Sequence, residues 1–172
     1  GSTLANCARL LVMQSSELIL VDPNFDPREQ RFSNTFASVL ARCSKARALT
    51  RLEIHRQLPD PYVRAAQEDN YRRCLEMIVP ENVILRVCLW QRRSDGERMH
   101  GRFLLAESGG LQYDYGLDEG DSPNEQTVVT LMDDALFRQV RADYEPRTSP
   151  FDLRPDALIE VLDEDDSLLH LQ

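Results

Sequence analysis

The sequence is poor in every feature that would mark a membrane protein, a metalloprotein or an oxidised secreted scaffold. It has no run of about 18 apolar residues, the length a bilayer-spanning helix requires. Its opening, GSTLANCARLL, has neither the basic head nor the small-residue cleavage site of a secretory signal. The expectation is a soluble, cytoplasmic protein, with Gly1 and Ser2 as the remnant of a tag. Cysteine is scarce: Cys7, Cys43, Cys74 and Cys88 are far apart, form no C-x-x-C pair and have no histidine pair nearby. Neither a zinc site nor a thioredoxin-like redox motif is therefore expected, and no metal or cofactor is called for. Cys43, Cys74 and Cys88 sit in apolar patterns and read as small, reduced core residues. There is no internal repeat and no low-complexity segment.

Positive charge is also in deficit. Lysine and arginine together number 20 against 29 aspartates and glutamates, a formal net charge of −9. That balance argues against nucleic acid as a bulk electrostatic ligand and disfavours an anionic membrane surface. The charge is unevenly spread. The end of the chain, from Asp156 through EVLDEDDSLLHLQ, is acidic, whereas Arg86, Arg92, Arg93, Arg98 and Arg102 crowd one short region. A local anion site is compatible with an acidic protein.

What is present is enough for one domain: 172 residues with ample apolar content. ELILVDPNFDP reads as a central, buried strand stopped by Pro23 and Pro27. Phe32, Phe36, Val39, Leu40 and Cys43 follow at helical spacing and predict an amphipathic helix over the sheet. ALTRLEIHR predicts a strand. Asp60 as N-cap, Pro61 at the first helical position and Pro80 beyond the end bracket a helix that buries Val63, Ala66, Tyr71, Cys74, Leu75 and Ile78. NVILRVCLW is a strand apolar enough to be buried on both faces, with Trp90 as packing. Asp95-Gly96 predicts a hairpin joining it to a strand from His100. Gly109-Gly110 predicts a second turn, into LQYDYGL. TVVTLM predicts a strand, and Asp133 or Asp134 caps a helix carrying Leu136, Phe137, Val140 and Tyr144. Strand–helix–strand–helix–strand implies right-handed crossovers and a parallel layer. The expected fold is α/β, a mixed, mostly parallel sheet with helices on both faces. The expected divisions are an N-terminal extension over 1–16, the domain over 17–146, and an acidic tail or short helix over 147–172.

The chemistry concentrates in MHGRFLLAESGGLQYDYGLDEG, Met99 to Gly120. In a strand, residues two apart share a face, so His100 and Arg102 are expected to project together while Phe103 and Leu105 point into the core. An imidazole beside a guanidinium suits an oxyanion, and a phosphate above all. Asp22 and Asn24 stand at the carboxyl end of the first strand, where α/β sheets hold ligands; a turn around Pro23 explains them equally well. Tyr113 and Tyr115 could form an aromatic platform but more simply pack across strands. Glu107 or Asp118 could pair with the His100–Arg102 face.

LVDPNFDP and HGRFLLAESGGLQYDYGLDEG resemble the phospholipase D superfamily, and more closely the phospholipase D-like domain found at the C-terminus of MIT-domain proteins and in prokaryotic relatives. The likeness runs from about Glu17 to Tyr144. It implies one half of a phospholipase D-like fold, with His100 in the family's histidine position, Arg102 in that of its lysine or arginine, Glu107 where the enzymes have aspartate, and Gly116-Leu117-Asp118 as in the degenerate branch. The enzymes' Gly-Ser and asparagine elements are absent, and neither His55 nor His170 has the context of a second catalytic histidine. The resemblance thus implies a catalytically degenerate module that binds an anion or a protein partner, with His100, Arg102, Asp118, Asp22 and Asn24 as its ligand-binding residues. It also implies a homodimer and a place in a bacterial defence or conflict system. The alternatives are a dimeric phosphodiesterase or nuclease, with His100 as nucleophile and Arg102 as phosphate clamp, or a protein adaptor with no small ligand.

Overall fold

The computed structural model describes residues 2–43, 49–58, 61–94, 96, 98–118 and 127–161, with the backbone alone for 2, 61–68 and 154–161. The first helical turns, α1 (Ser2–Cys7) and α2 (Arg9–Val12), pack against α3 (Gln30–Cys43). Leu4, Ala5, Ala8 and Val12 are buried in the same core as α3. Through these four side chains the segment ahead of β1 contributes to the core beside the long helix.

β1 (Glu17–Val21), β2 (Arg51–Gln57) and β3 (Ile84–Gln91) pair in parallel, linked by α3 and by α4 (Pro61–Glu76). Within α3, Phe32, Phe36, Val39, Leu40 and Cys43 are the buried stripe that the spacing predicted. On α4, Tyr71 and Leu75 are buried while Cys74 and Ile78 are half-buried. The Asp60 cap and the side chains of Val63 and Ala66 lie outside the described residues. β4 (Phe103–Ala106) then runs antiparallel beside β1, followed by β5 (Gly109–Tyr113) and β6 (Val129–Leu131). α5 (Asp134–Asp143) is capped by Asp133, whose Oδ1 accepts the Leu136 N–H at 2.8 Å. β7 (Asp152–Val161) closes the other edge, antiparallel to β3.

The result is an α/β protein built on a seven-stranded mixed sheet of order β6-β5-β4-β1-β2-β3-β7. Only the β1–β2 and β2–β3 pairings are parallel, so the expected mostly parallel sheet is corrected to a parallel centre with antiparallel flanks. Two local signals misled. The Asp95-Gly96 turn does not join β3 to its hairpin partner, because β4 pairs with β1 and β5 while β3 takes β7; Asp95 itself lies outside the described residues. A strand as apolar as FLLA, buried at all four positions, is better satisfied between two neighbours than on an edge. The turn between β4 and β5 falls at Glu107-Ser108, and Gly109-Gly110 already belong to the strand. At Gly110 a Cβ would come within 2.7 Å of both Leu105 and Met132, so the position is set by close packing and not by a turn. Likewise, 152–161, expected within a tail or short helix, is strand β7. Its backbone pairs with β3 from Leu85 to Gln91 and so satisfies that strand's open edge.

Strand alternation divides the core. Leu18, Leu20, Leu52, Ile54 and Leu104 join one apolar cluster with α3, whereas Val21, Cys88, Trp90, Phe103 and Leu105 join another with Val140 of α5 and Tyr144 just beyond it. Tyr113 is part of the first cluster, while Tyr115 is exposed. Among the described residues no helix is long and apolar enough to cross a membrane.

Candidate functional site: a buried carboxyl among arginines

The parallel strands β1 and β2 have their carboxyl ends on the same side of the sheet, and antiparallel β4 begins there, with Val21 opposite Phe103. This register brings Asp22, Arg56 and Arg102 to the same end. The Asp22 N–H extends the ladder by donating to the His55 carbonyl at 3.0 Å. Proline at 23 then turns the chain. The Asp22 carboxylate steadies the turn by accepting the Asn24 N–H on Oδ1 at 2.9 Å. Phe25, fully buried, nails the loop down edge-on between Phe32 and Phe36, with ring centroids 5.9 and 5.1 Å away.

The Asp22 side chain is 1% exposed. Arg102 Nε stands 3.7 Å from Oδ1, close enough for charge attraction but too far for a hydrogen bond. The same guanidinium donates from Nη1 to the Asp114 carbonyl at 2.9 Å, and the Arg102 carbonyl accepts the Tyr113 N–H. Oδ2 of Asp22 is buried without a hydrogen-bond partner. It faces Gly116, whose φ of +68° lies in the left-handed region, and a Cβ there would fall 2.0 Å from Oδ2 and 3.0 Å from Arg102 Cδ. Only glycine meets both demands. Burial pushes the Asp22 carboxyl up to about 6, and the nearby charge of Asp118 pushes the same way; the Asn24 N–H and the charges of Arg102 and Arg56 pull against them.

Around this carboxyl the other charges are mostly matched. Asp118 is bonded to Arg31 at 2.9 Å, and Arg31 also holds Glu29. Asp26 takes a two-pronged grip from Arg28, Nε to Oδ1 at 2.8 Å and Nη2 to Oδ2 at 2.5 Å. Burial raises the Asp26 carboxyl, yet these bonds from Arg28 hold it below its usual range. Arg56 lies over the Tyr71 ring, 5.0 Å from its centroid, with its Nε buried and unpartnered. Arg56 and Arg102 are thus the two cations that face a carboxyl which is largely neutral below about pH 6. Guanidinium donors beside an incompletely charged partner can receive an anion.

Of the residues singled out from sequence, Asp22, Asn24, Arg102 and Asp118 converge here. His100 does not join them by strand alternation: β4 begins at Phe103, residues 98–102 lie outside any strand, and His100 is exposed. The shared face expected of His100 and Arg102 rested on strand alternation, and residues 98–102 are not part of a strand. Arg102 is turned to β1 by its bonds to β5 and the turn beyond it. Glu107 lies at the opposite end of β4, where it accepts the Ser16 N–H at 3.1 Å and the Ser16 hydroxyl at 2.7 Å. Arg56 was missed. The signal that could have found it was its place at the carboxyl end of the second parallel strand, next to the first strand's Asp22.

The second histidine has another task. His55 is 1% exposed and points to the opposite face of the sheet from Arg56. Trp90 Nε1–H donates to its Nδ1 at 2.9 Å, which assigns the ring proton to Nε2, 3.2 Å from Glu53 Oε2. Glu53 also pairs with Arg51 at 2.5 Å and with Arg86 at 3.5 Å. Burial opposes its ionisation, but the hydrogen bond from His55 and the charge and hydrogen bond of the Arg51 guanidinium pull its carboxyl down to about 2. His55 is thereby a buried structural residue of the aromatic cluster with Trp90 and Tyr144. His170 lies outside the described residues. Among the described residues, no three His, Cys, Asp or Glu side chains gather as a metal site.

Compared with known proteins, the chain matches no family model and no curated sequence.

Proposed function

We propose that the chain is a catalytically degenerate phospholipase D-like half domain, with α3 and α5 on opposite faces of the sheet, that binds an anion or an anionic partner at the Asp22 site. The supporting observation is the setting of Arg102. Its guanidinium stands 3.7 Å from a nearly fully buried carboxyl and keeps donors to spare. Arg56 adds a second cation from β2. In this reading a phosphate-containing ligand or an acidic group of a partner bridges the two guanidiniums, Asp118 and Asn24 shape the rim, and a homodimer presents the site twice.

The test is titration of the protein with inorganic phosphate, followed by NMR on arginine and backbone amide signals. Arg102→Ala is expected to weaken binding by roughly tenfold or more, the usual worth of a charge-assisted hydrogen bond. Binding indifferent to Arg102→Ala would remove the reading. Hydrolysis of a generic phosphodiester that disappears with His100→Ala would replace it with the dimeric phosphodiesterase.

A further inference from the structure

The anion-binding reading leaves Asp22 with an electrostatic difficulty, and the following rests on that reading. The charged groups facing Asp22 come from three elements: Arg102 from the segment before β4, Arg56 from β2, and Asp118 from the turn after β5, itself held by Arg31 of α3. Among the described residues only the two arginines compensate its charge, and the nearer of them is 3.7 Å away. Oδ1 is occupied by the Asn24 N–H, and Oδ2, packed against Gly116, has no hydrogen-bond donor among the described residues. An anion arriving at Arg102 competes for the same guanidinium and adds its negative charge to that of Asp118. A side chain 1% exposed cannot recover its hydration, so an ionised carboxylate would be left buried beside two other negative charges.

We propose that anion capture at this site is coupled to uptake of one proton by Asp22, on the oxygen that no donor reaches, so that the module holds its ligand more tightly as the medium is acidified. Like charges sharing one site are relieved by protonating the member least able to meet water. The free carboxyl already lies near its point of half-ionisation at about pH 6, so little is needed to tip it. The coupling has a direction. Below that point Asp22 is already neutral and affinity is flat with respect to it. Above it each binding event must draw a proton from solvent, and affinity falls by roughly tenfold per pH unit until the bound form itself ionises.

Sulfate is the suitable probe, because it carries the same double charge throughout this range and contributes no proton of its own. Isothermal titration calorimetry of the full chain with sulfate, in two buffers of different ionisation enthalpy near neutral pH, counts the protons taken up. The expected count is close to one for the wild type. For Asp22→Asn, which keeps the side-chain shape and removes the charge, the expected count is close to zero, with sulfate affinity flat from about pH 6 to about pH 8. His100→Gln, which removes the exposed imidazole, serves as the control and is expected to keep the wild-type count. A wild type that binds sulfate with no proton uptake, or an Asp22→Asn variant that keeps the pH slope, would overturn the coupling while leaving anion binding intact. Failure of the wild type to bind sulfate at any pH would overturn the anion-binding reading itself.

Discussion

Gly116→Ala probes the geometry of the Asp22 site more sharply than any charge change. The substitution adds one methyl group at a backbone φ of +68°, which costs an L-residue about 1–2 kcal/mol. The methyl carbon would also stand 2.0 Å from Asp22 Oδ2 and 3.0 Å from Arg102 Cδ. The first distance is well inside van der Waals contact, and the obstacle is a buried carboxylate, not the loose end of an exposed side chain. Relieving it requires the turn from Asp114 to Asp118 to lift away from β1, and forced rearrangements of this kind typically cost about 1–3 kcal/mol. Together the two effects predict a loss of about 2–5 kcal/mol. For a domain of this size that lowers the melting temperature by about 4–20 °C. Thermal or urea unfolding measures it directly, and a double-mutant cycle isolates the cause. Asp22→Ala removes the obstructing oxygen, so the Gly116→Ala cost in that background should shrink to its backbone part, about 1–2 kcal/mol. Strict additivity of the two substitutions, or a Gly116→Ala variant within about 0.5 kcal/mol of wild type, would refute the close approach of Gly116 and Asp22.

Two further predictions concern stability against pH. Because the Asp22 carboxyl is raised to about 6 from an ordinary 3.8, the folded state holds its proton where the unfolded chain has lost it. This penalises the fold progressively as pH rises from about 4 to about 6. Asp22→Asn, measured by urea unfolding across that range, should gain on the wild type by up to about 3 kcal/mol before any loss common to all pH values; a difference that does not change with pH would sink the claim. Glu53 has the opposite sign. Its carboxyl is held at about 2 against an ordinary 4.5, so its stabilisation is complete above the unfolded value and disappears as pH falls through the folded one. Glu53→Gln should therefore cost most at neutral pH, by up to about 3 kcal/mol, and almost nothing near pH 2; equal costs at both ends would refute the network of His55, Arg51 and Arg86.

How much could be read beforehand followed from the range of each signal. Helical and strand periodicity are local, and they located β1, α3, β2, α4, β3 and α5 within a few residues, including the Asp133 cap and the Pro61 start. Pairing is not local. The partner of FLLA depended on which open edge remained in the sheet, and a turn dipeptide at 95–96 carries no information about that. RPDALIEV was compatible with a helix until β3 offered it an edge. The site was legible in the same degree. Asp22 and Asn24 were visible as strand-end residues around Pro23, and Arg102 as the phosphate-binding partner of His100, but the meeting of Arg102 with Asp22 depends on the antiparallel register of β1 and β4. Arg56 went unnoticed because its neighbour is set by the parallel register of β1 and β2, and His55 was placed by the alternation of β2 against Trp90.

The position of β4 has a consequence for how the chain reaches its fold. β1 is synthesised early, yet one of its two neighbours, Phe103–Ala106, comes after both helical crossovers, and the far edge of β3 waits for residues 152–161. Until those segments emerge, a nascent chain carrying β1, β2 and β3 presents two unpaired, strongly apolar strand borders, Leu18–Val21 on one side and Leu85–Trp90 on the other. Such borders invite pairing between chains. The domain is therefore most exposed to aggregation during its own synthesis, and a chaperone that engages extended apolar segments would find its binding sites there.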